Sequence, residues 1–154
     1  MSDQTVSVER VVPTTPEKIF ALLSDASRHP EIDGSGTVLE TRGAPPERLV
    51  LGSEFGMNMK YVLPYAMKSR VIEYDENRRI AWQTVPAYRG TEWLAGGRIW
   101  RYELEPVEGG TLVRETWDIS QEKPLFKPLV AAQKDKTRKN MARTLERIEQ
   151  VLAP

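Results

Sequence analysis

Cysteine is absent from the chain. Its absence excludes disulfides, thiol nucleophiles and cysteine-ligated zinc or iron–sulfur centres, and it suits a reducing compartment. Histidine occurs once, at position 29. A transition-metal site would then rest mostly on carboxylates, a donor set such metals seldom take, so no metal is expected. Neither sign of charge is in excess: 22 Lys and Arg stand against 22 Asp and Glu, which leaves no net field to draw in nucleic acid. No apolar run reaches the roughly 18 residues of a membrane-spanning helix, and the opening MSDQTVSVER lacks the basic-then-apolar layout of a secretory signal. The glycine loop that cradles phosphates, the GxSxG nucleophile elbow and the HExxH pair are also missing. These absences set an expectation of a cytoplasmic protein with no cofactor, no nucleic-acid partner and no stable membrane insertion.

What is present is one domain's worth of ordinary globular chain, 154 residues with 40% apolar content, read as a single domain over 1–154. Thr5 to Val12 is rich in β-branched residues and predicts a strand. Thr15 followed by Pro16 is a helix start, a capping hydroxyl and then a residue with its φ already set. Ile19, Phe20, Leu22 and Leu23 put one apolar face on a short helix from Pro16 to about Asp25. A second turn, Pro30 to Ile32, ends at Asp33-Gly34-Ser35-Gly36. Strands are then predicted over Thr37–Thr41, Glu54–Tyr61, Ala66–Tyr74, Arg79–Thr84, Arg98–Glu105 and Thr111–Ser120. The turns between them lie at 43–46, 63–64, 75–77, 96–97 and 108–111. Glu-Gly-Gly-Thr at 108–111 is the clearest hairpin signal, and such short connections imply antiparallel neighbours.

Leu125 to Leu152 predicts a long helix. Met141, Leu145, Ile148 and Leu152 form one apolar stripe, and Leu125, Phe126, Leu129 and Val130 a second patch at its beginning. Between them Gln133 to Asn140 offers no large apolar residue. Either the helix starts later, or it spans an opening where a cavity meets water. Eight Lys and Arg lie between Lys123 and Arg147 against Asp135 and Glu146, which predicts the solvated outer face of an amphipathic helix.

The expected architecture is α+β: a curved seven-stranded antiparallel sheet wrapped around a long C-terminal helix, with two short helices after the first strand. On the order of these segments the chain resembles the START-like helix-grip superfamily, the polyketide cyclase/dehydrase and lipid-transport proteins, whose plant branch includes the birch pollen allergens. The resemblance rests on TPEKIF at 15–20, HPEIDGSG at 29–36, GSEF at 52–55, RRIAW at 78–82, WRYEL at 100–104, GGT at 109–111 and LERI at 145–148. It implies a helix-grip fold with a hollow between sheet and last helix, and binding or transport of a small hydrophobic or amphipathic molecule such as a lipid, polyketide or aromatic. It implies as the alternative a cyclase, aromatase or dehydrase working in the same hollow. A monomer or homodimer is expected.

The strand period of two sorts the residues by face. Trp100, Tyr102 and Leu104 share one face, with Arg98, Arg101, Glu103 and Glu105 mostly on the other or at the strand end. Phe55, Met57, Met59 and Tyr61 form a second inward row, Ile80 and Trp82 a third, and Val113, Glu115 and Trp117 a fourth. Such an aromatic, methionine-rich wall is what any packed core shows; the resemblance turns the reading to a ligand cavity. Expected ligand-binding residues are Phe55, Met57, Met59, Trp82, Trp100, Tyr102, Val113, Trp117 and Met141. Glu115 is the one carboxylate in its apolar row. It is either paired with an arginine at the sheet edge, turned outward by a one-residue shift in register, or a general acid/base toward a carbonyl compound. His29 and Asp33, four residues apart, either form a contact that sets a catalytic tautomer or simply cap the helix and hold the turn. Arg89 and Glu92 are candidates for the cavity rim. The catalytic candidates are therefore Glu115, His29 and Asp33.

Overall fold

The computed structural model describes residues 4–42, 46–60, 64–87 and 95–152. The elements run β1 (Thr5–Val12), α1 (Pro16–Leu23), a 3-10 turn (Ala26–Arg28), α2 (His29–Ile32), β2 (Val38–Arg42), β3 (Glu54–Lys60), β4 (Pro64–Asp75), β5 (Arg79–Pro86), β6 (Arg98–Val107), β7 (Gly110–Asp118), α3 (Lys127–Ala131) and α4 (Lys134–Leu152). The seven strands form one sheet in the order β1-β7-β6-β5-β4-β3-β2, every pairing antiparallel. It curls into a half-barrel around the C-terminal helix, the helix-grip fold that was expected. The expectations that fall on 43–45, on 61–63 with Tyr61, and on 88–94 with Arg89 and Glu92 lie outside the described residues.

Local chemistry accounts for the boundaries. Thr15 caps α1, its Oγ1 accepting from the Lys18 amide. The helix stops at Leu23, earlier than expected: Ser24 caps it, its amide making the last bond to the Phe20 carbonyl and its hydroxyl a second one, while Asp25 is already extended and its amide turns to the Leu22 carbonyl. Gly110 lies at φ +148°, and a Cβ there would fall 2.1 Å from the Val12 carbonyl oxygen. The β6–β7 hairpin therefore seats directly against the end of β1.

The long C-terminal helix is two helices. α3 ends at Ala131 and α4 begins at Lys134, because the intervening segment has no large side chain to anchor it on the core. Of the apolar patch expected at its start, Leu125, Phe126 and Leu129 are exposed, and Val130 alone joins the interior, packed against the cluster of Val6, Trp117, Ile119 and Met141. The stripe on α4 behaves as expected, with Met141, Leu145 and Ile148 buried.

Two levels of the molecule differ in how they are filled. At one end Ile19, Phe20, Leu22 and Leu23 of α1 pack with Leu145 and Ile148 of α4 and with Ile80, Leu104 and Val113 of the sheet. At the other end α2 and its exit meet α4. The Gly34 amide donates to Thr144 Oγ1 at 2.9 Å, and a Cβ on Gly34 would lie 2.2 Å from the Asn140 carbonyl oxygen. α4 can approach this turn only because the residue is glycine.

Leu145 is 1% exposed, so Leu145→Ala is expected to cost about 2–5 kcal/mol in urea unfolding; an unchanged midpoint would mean that the stripe is misplaced. Gly34→Ala is expected to lose more stability than Gly36→Ala, which meets no neighbouring atom within 4 Å and bears only the cost of φ +73°, about 1–2 kcal/mol. Equal losses by thermal melting would contradict the close approach of α4.

Candidate functional site

Between the sheet and α4 lies a cavity of about 430 Å³, within the range that holds small-molecule ligands. The strand register builds its wall row by row. Leu104 pairs with Val113 at the packed end; the next inward pair is Tyr102 with Glu115, then Trp100 with Trp117. Trp82 continues the tryptophan row on β5, and Arg98, Thr84, Ser69 and Phe55 make the following row across four strands. Successive rows are about 6.8 Å apart. The Tyr102–Glu115 row is thus the boundary at which packed core gives way to open volume.

The structure brings together around this cavity Phe55, Met57, Met59, Trp82, Trp100, Tyr102, Trp117 and Met141, together with Glu115, His29 and Asp33. Val113 does not line it. It is fully buried in the core among α1 and α4 side chains, one row too deep, so its expected place in the ligand wall is corrected. Arg98 is a correction in the other direction: it has the same parity as Trp100 and Tyr102, and it lines the cavity.

Glu115 faces inward and is 2% exposed. Its partner is not an arginine at the sheet edge. The Tyr102 hydroxyl, on the adjacent strand, donates to Glu115 Oε2 at 2.9 Å. Oε1 is buried with no hydrogen-bond partner among the described residues. Burial pushes the carboxyl up to about 8, against a smaller opposing pull from the Tyr102 hydrogen bond, with Asp33 adding a further push upward. The acid is therefore mostly neutral at pH 7. Burial and the neighbouring Glu115 together raise the Tyr102 phenol well above its ordinary value, so this hydroxyl remains a donor.

His29 and Asp33 do not form a side-chain pair. His29 Nε2 meets the Leu23 carbonyl at 2.8 Å; since a carbonyl only accepts, the proton is on Nε2. The ring stacks on Trp82 at 4.9 Å and meets the edge of Phe55 at 5.3 Å. Burial lowers its pKa, more than the Leu23 hydrogen bond restores it. His29 is a neutral aromatic wall residue. Asp33 holds the turn: Oδ1 accepts from the Ser35 amide and hydroxyl, and Oδ2 from the Val38 amide. Its oxygens serve the backbone.

The polar lining was the part that sequence reasoning missed. Gln133, Lys136, Thr137, Asn140, Met141 and Thr144 all face the cavity, at steps of three, one, three, one and three residues. The segment without large apolar side chains is thus a polar helical stripe, a signal that was readable once the hollow was expected. Thr84 shares the parity of Trp82 and was equally open to counting. Tyr65, Ser69 and Glu122 carried no such signal. Ser69 and Thr84 hydroxyls bond each other across strands at 2.8 Å. Glu122 is buried beside Arg98, its Oε1 accepting from the Gly96 amide and the guanidinium, both at 3.2 Å. Among the described residues no group of three or more His, Asp or Glu stands ready to hold a metal ion, and no helix is long and apolar enough to cross a membrane.

A sequence model of the family described as polyketide cyclase/dehydrase and lipid transport matches residues 3–153. An uncharacterized protein of Mycobacterium tuberculosis, Rv0088, is 38% identical over 116 residues, covering 73% of this chain and 45% of that protein. The chain thus spans about half the length of the curated relative it matches. Among solved structures, protein CV1439 from Chromobacterium violaceum superposes with a TM-score of 0.74 at 15% identity, covering 99% of each chain. The polyketide-cyclase-like protein Cgl2372 from Corynebacterium glutamicum does so at 0.60 and 22%, covering 97% of this chain and 91% of that one. At these identities the two structures show a shared fold.

The raised Glu115 and lowered His29 give opposite pH dependences. For Glu115 the native state holds its proton more tightly than the unfolded chain, so its contribution is whole below about pH 4.3 and is lost as pH rises toward 8. For His29 stability is lost as pH falls below about 6.5. Glu115→Gln leaves His29 in place, so the melting temperature of the variant relative to wild type is expected to rise between pH 5 and 8.5. A difference that stays flat with pH would mean that Glu115 is not held neutral.

Proposed function

The chain belongs to the polyketide cyclase/dehydrase and lipid transport family, and from that premise we propose that it binds and carries a small, largely apolar molecule in the cavity between the sheet and α4. The observation that carries this reading is the cavity itself: about 430 Å³ of open volume, more than ten times the roughly 30 Å³ share of one liquid water. Aromatic rings and thioethers form most of its strand wall, which favours an apolar body. Met57, Met59, Met67 and Met141 add side chains that adapt to a ligand's outline. The polar stripe of α4 leaves one side suited to a hydroxyl, carbonyl or amide, so an amphipathic molecule fits as well as a purely apolar one.

A second reading, an enzyme of the cyclase or dehydrase type, is favoured by one observation. Glu115 is a neutral acid on the border of the hollow, and its Oε1 has no partner among the described residues; a neutral acid so placed is what general-acid catalysis on a carbonyl chain requires. Its mark would be a bound molecule whose mass changes with time, at a rate that Glu115→Gln lowers by about 10²–10⁴-fold.

Native mass spectrometry of the purified protein is expected to reveal a co-purifying small molecule. Added 1-aminoanthracene is expected to quench or shift the emission of Trp82, Trp100 and Trp117, which line the cavity. Met67→Trp, which fills the hollow from β4, is expected to weaken that binding by about tenfold or more, a change of at least about 1.4 kcal/mol, while the protein still melts cooperatively. Unchanged affinity in a folded Met67→Trp protein would count against the cavity as the binding site.

A further inference from the structure

We infer that Glu115, oriented by Tyr102, is the recognition point for a neutral oxygen acceptor, so that the molecule held in the cavity is an apolar one bearing a carbonyl group and not one bearing an ammonium. The inference deepens the reading proposed above and rests on it. Tyr102 donates to Oε2, which makes Oε2 the accepting oxygen of the carboxylic acid and leaves the acid proton on Oε1. Oε1 is the oxygen without a partner among the described residues, on a residue that lines the cavity. A buried donor with no acceptor costs stability, and native proteins seldom keep one. A ligand oxygen at this point removes that cost.

The location sets how such a molecule lies. Glu115 stands in the last row before the packed core, and the Trp100–Trp117 row adjoins it on the open side. A carbonyl that reaches Oε1 therefore leads, and the apolar body follows over the tryptophans. The other polar groups facing the cavity offer a cation no net negative charge. From α2 and its exit come His29, held neutral by burial, and Asp33, its oxygens taken up by Ser35 and Val38. From β4 comes the Tyr65 phenol, from β6 Arg98 beside the buried Glu122, and from α4 Lys136. Arg98 and Lys136 are balanced by Glu122 and Asp33, so an ammonium would find no net negative charge here, and the carboxyl beside the tryptophans is one that burial keeps protonated. The aromatic wall would be left as its one attraction.

The test uses two neutral fluorophores of nearly equal shape, 6-propionyl-2-(dimethylamino)naphthalene and its 6-propyl counterpart, in which a methylene replaces the carbonyl. Wild type is expected to bind the ketone about three- to tenfold more tightly than the hydrocarbon, the net worth of one hydrogen bond. Glu115→Leu is expected to abolish that preference without weakening the hydrocarbon. Glu115→Gln, whose amide still donates, is expected to keep it. The emission of the bound ketone, which shifts to the red when its carbonyl accepts a hydrogen bond, is expected to move to the blue in Glu115→Leu only. In wild type the preference should fade as pH rises past about 8, where the acid loses its proton; this arm needs no variant and stands even if Glu115→Leu does not fold. Equal affinities for ketone and hydrocarbon in wild type, or tighter binding of a naphthylmethyl trimethylammonium, overturn the inference and leave the cavity reading intact. Failure of every probe to bind removes the cavity reading and this inference with it.

Discussion

A curled sheet of seven strands presents more inward surface than one helix can cover, and the architecture of this protein follows from where that shortage falls. α1 supplements α4 at one end, and there the interior closes around Phe20, Leu145 and Ile148. At the other end α2 is a single turn of four residues, and α4 presents Gln133, Lys136, Thr137 and Asn140 in place of apolar bulk. Side chains of this kind cannot fill the space between a tryptophan row and a helix axis. The hollow is therefore a consequence of chain composition along α4, and the contact of Gly34 with α4 holds the helix across it.

The electrostatic character of the site follows from the same geometry. A carboxyl on the inward face of β7 is buried and has no cation within hydrogen-bond reach among the described residues, so desolvation decides its state and keeps it protonated. The nearest polar neighbour, Tyr102, is a donor and sits directly across the strand pair. His29 is treated by burial in the opposite sense and is also neutral. The site thus holds two titratable groups in their uncharged forms, while its charged groups have partners: Asp33 in the turn at the exit of α2 and Arg98 on buried Glu122. A hollow with this character suits a neutral molecule with a polar end better than an ion.

Much of this was legible along the chain. The period of two in β3, β5, β6 and β7 sorted Phe55, Met57, Trp82, Trp100, Tyr102, Glu115 and Trp117 to one face, and the cavity collects them all. Where that counting was not followed to the strand end, Arg98 was misplaced. Where it was followed too far, Val113 was included, because periodicity tells which face a residue takes and not how deep along the strand the packing becomes tight. The His29–Asp33 spacing suggested a pair, and the backbone claimed both side chains first: Leu23 took the imidazole and Val38 the carboxylate.

What the order of residues determined by itself was the element list, the inward rows and the amphipathic stripe of α4, because each depends on local spacing and on turn chemistry at the glycines and prolines. What only the tertiary structure decided was the depth of each row, the break of the last helix before Lys134, and the partner of Glu115. Those depend on which atoms meet across different elements: Gly34 against Asn140 and Thr144, Tyr102 against Glu115, and Glu122 against Arg98. A buried carboxyl can be recognised from its row, but its protonation state is set by what surrounds it. That is a property of the folded interior, where distance and burial replace sequence separation.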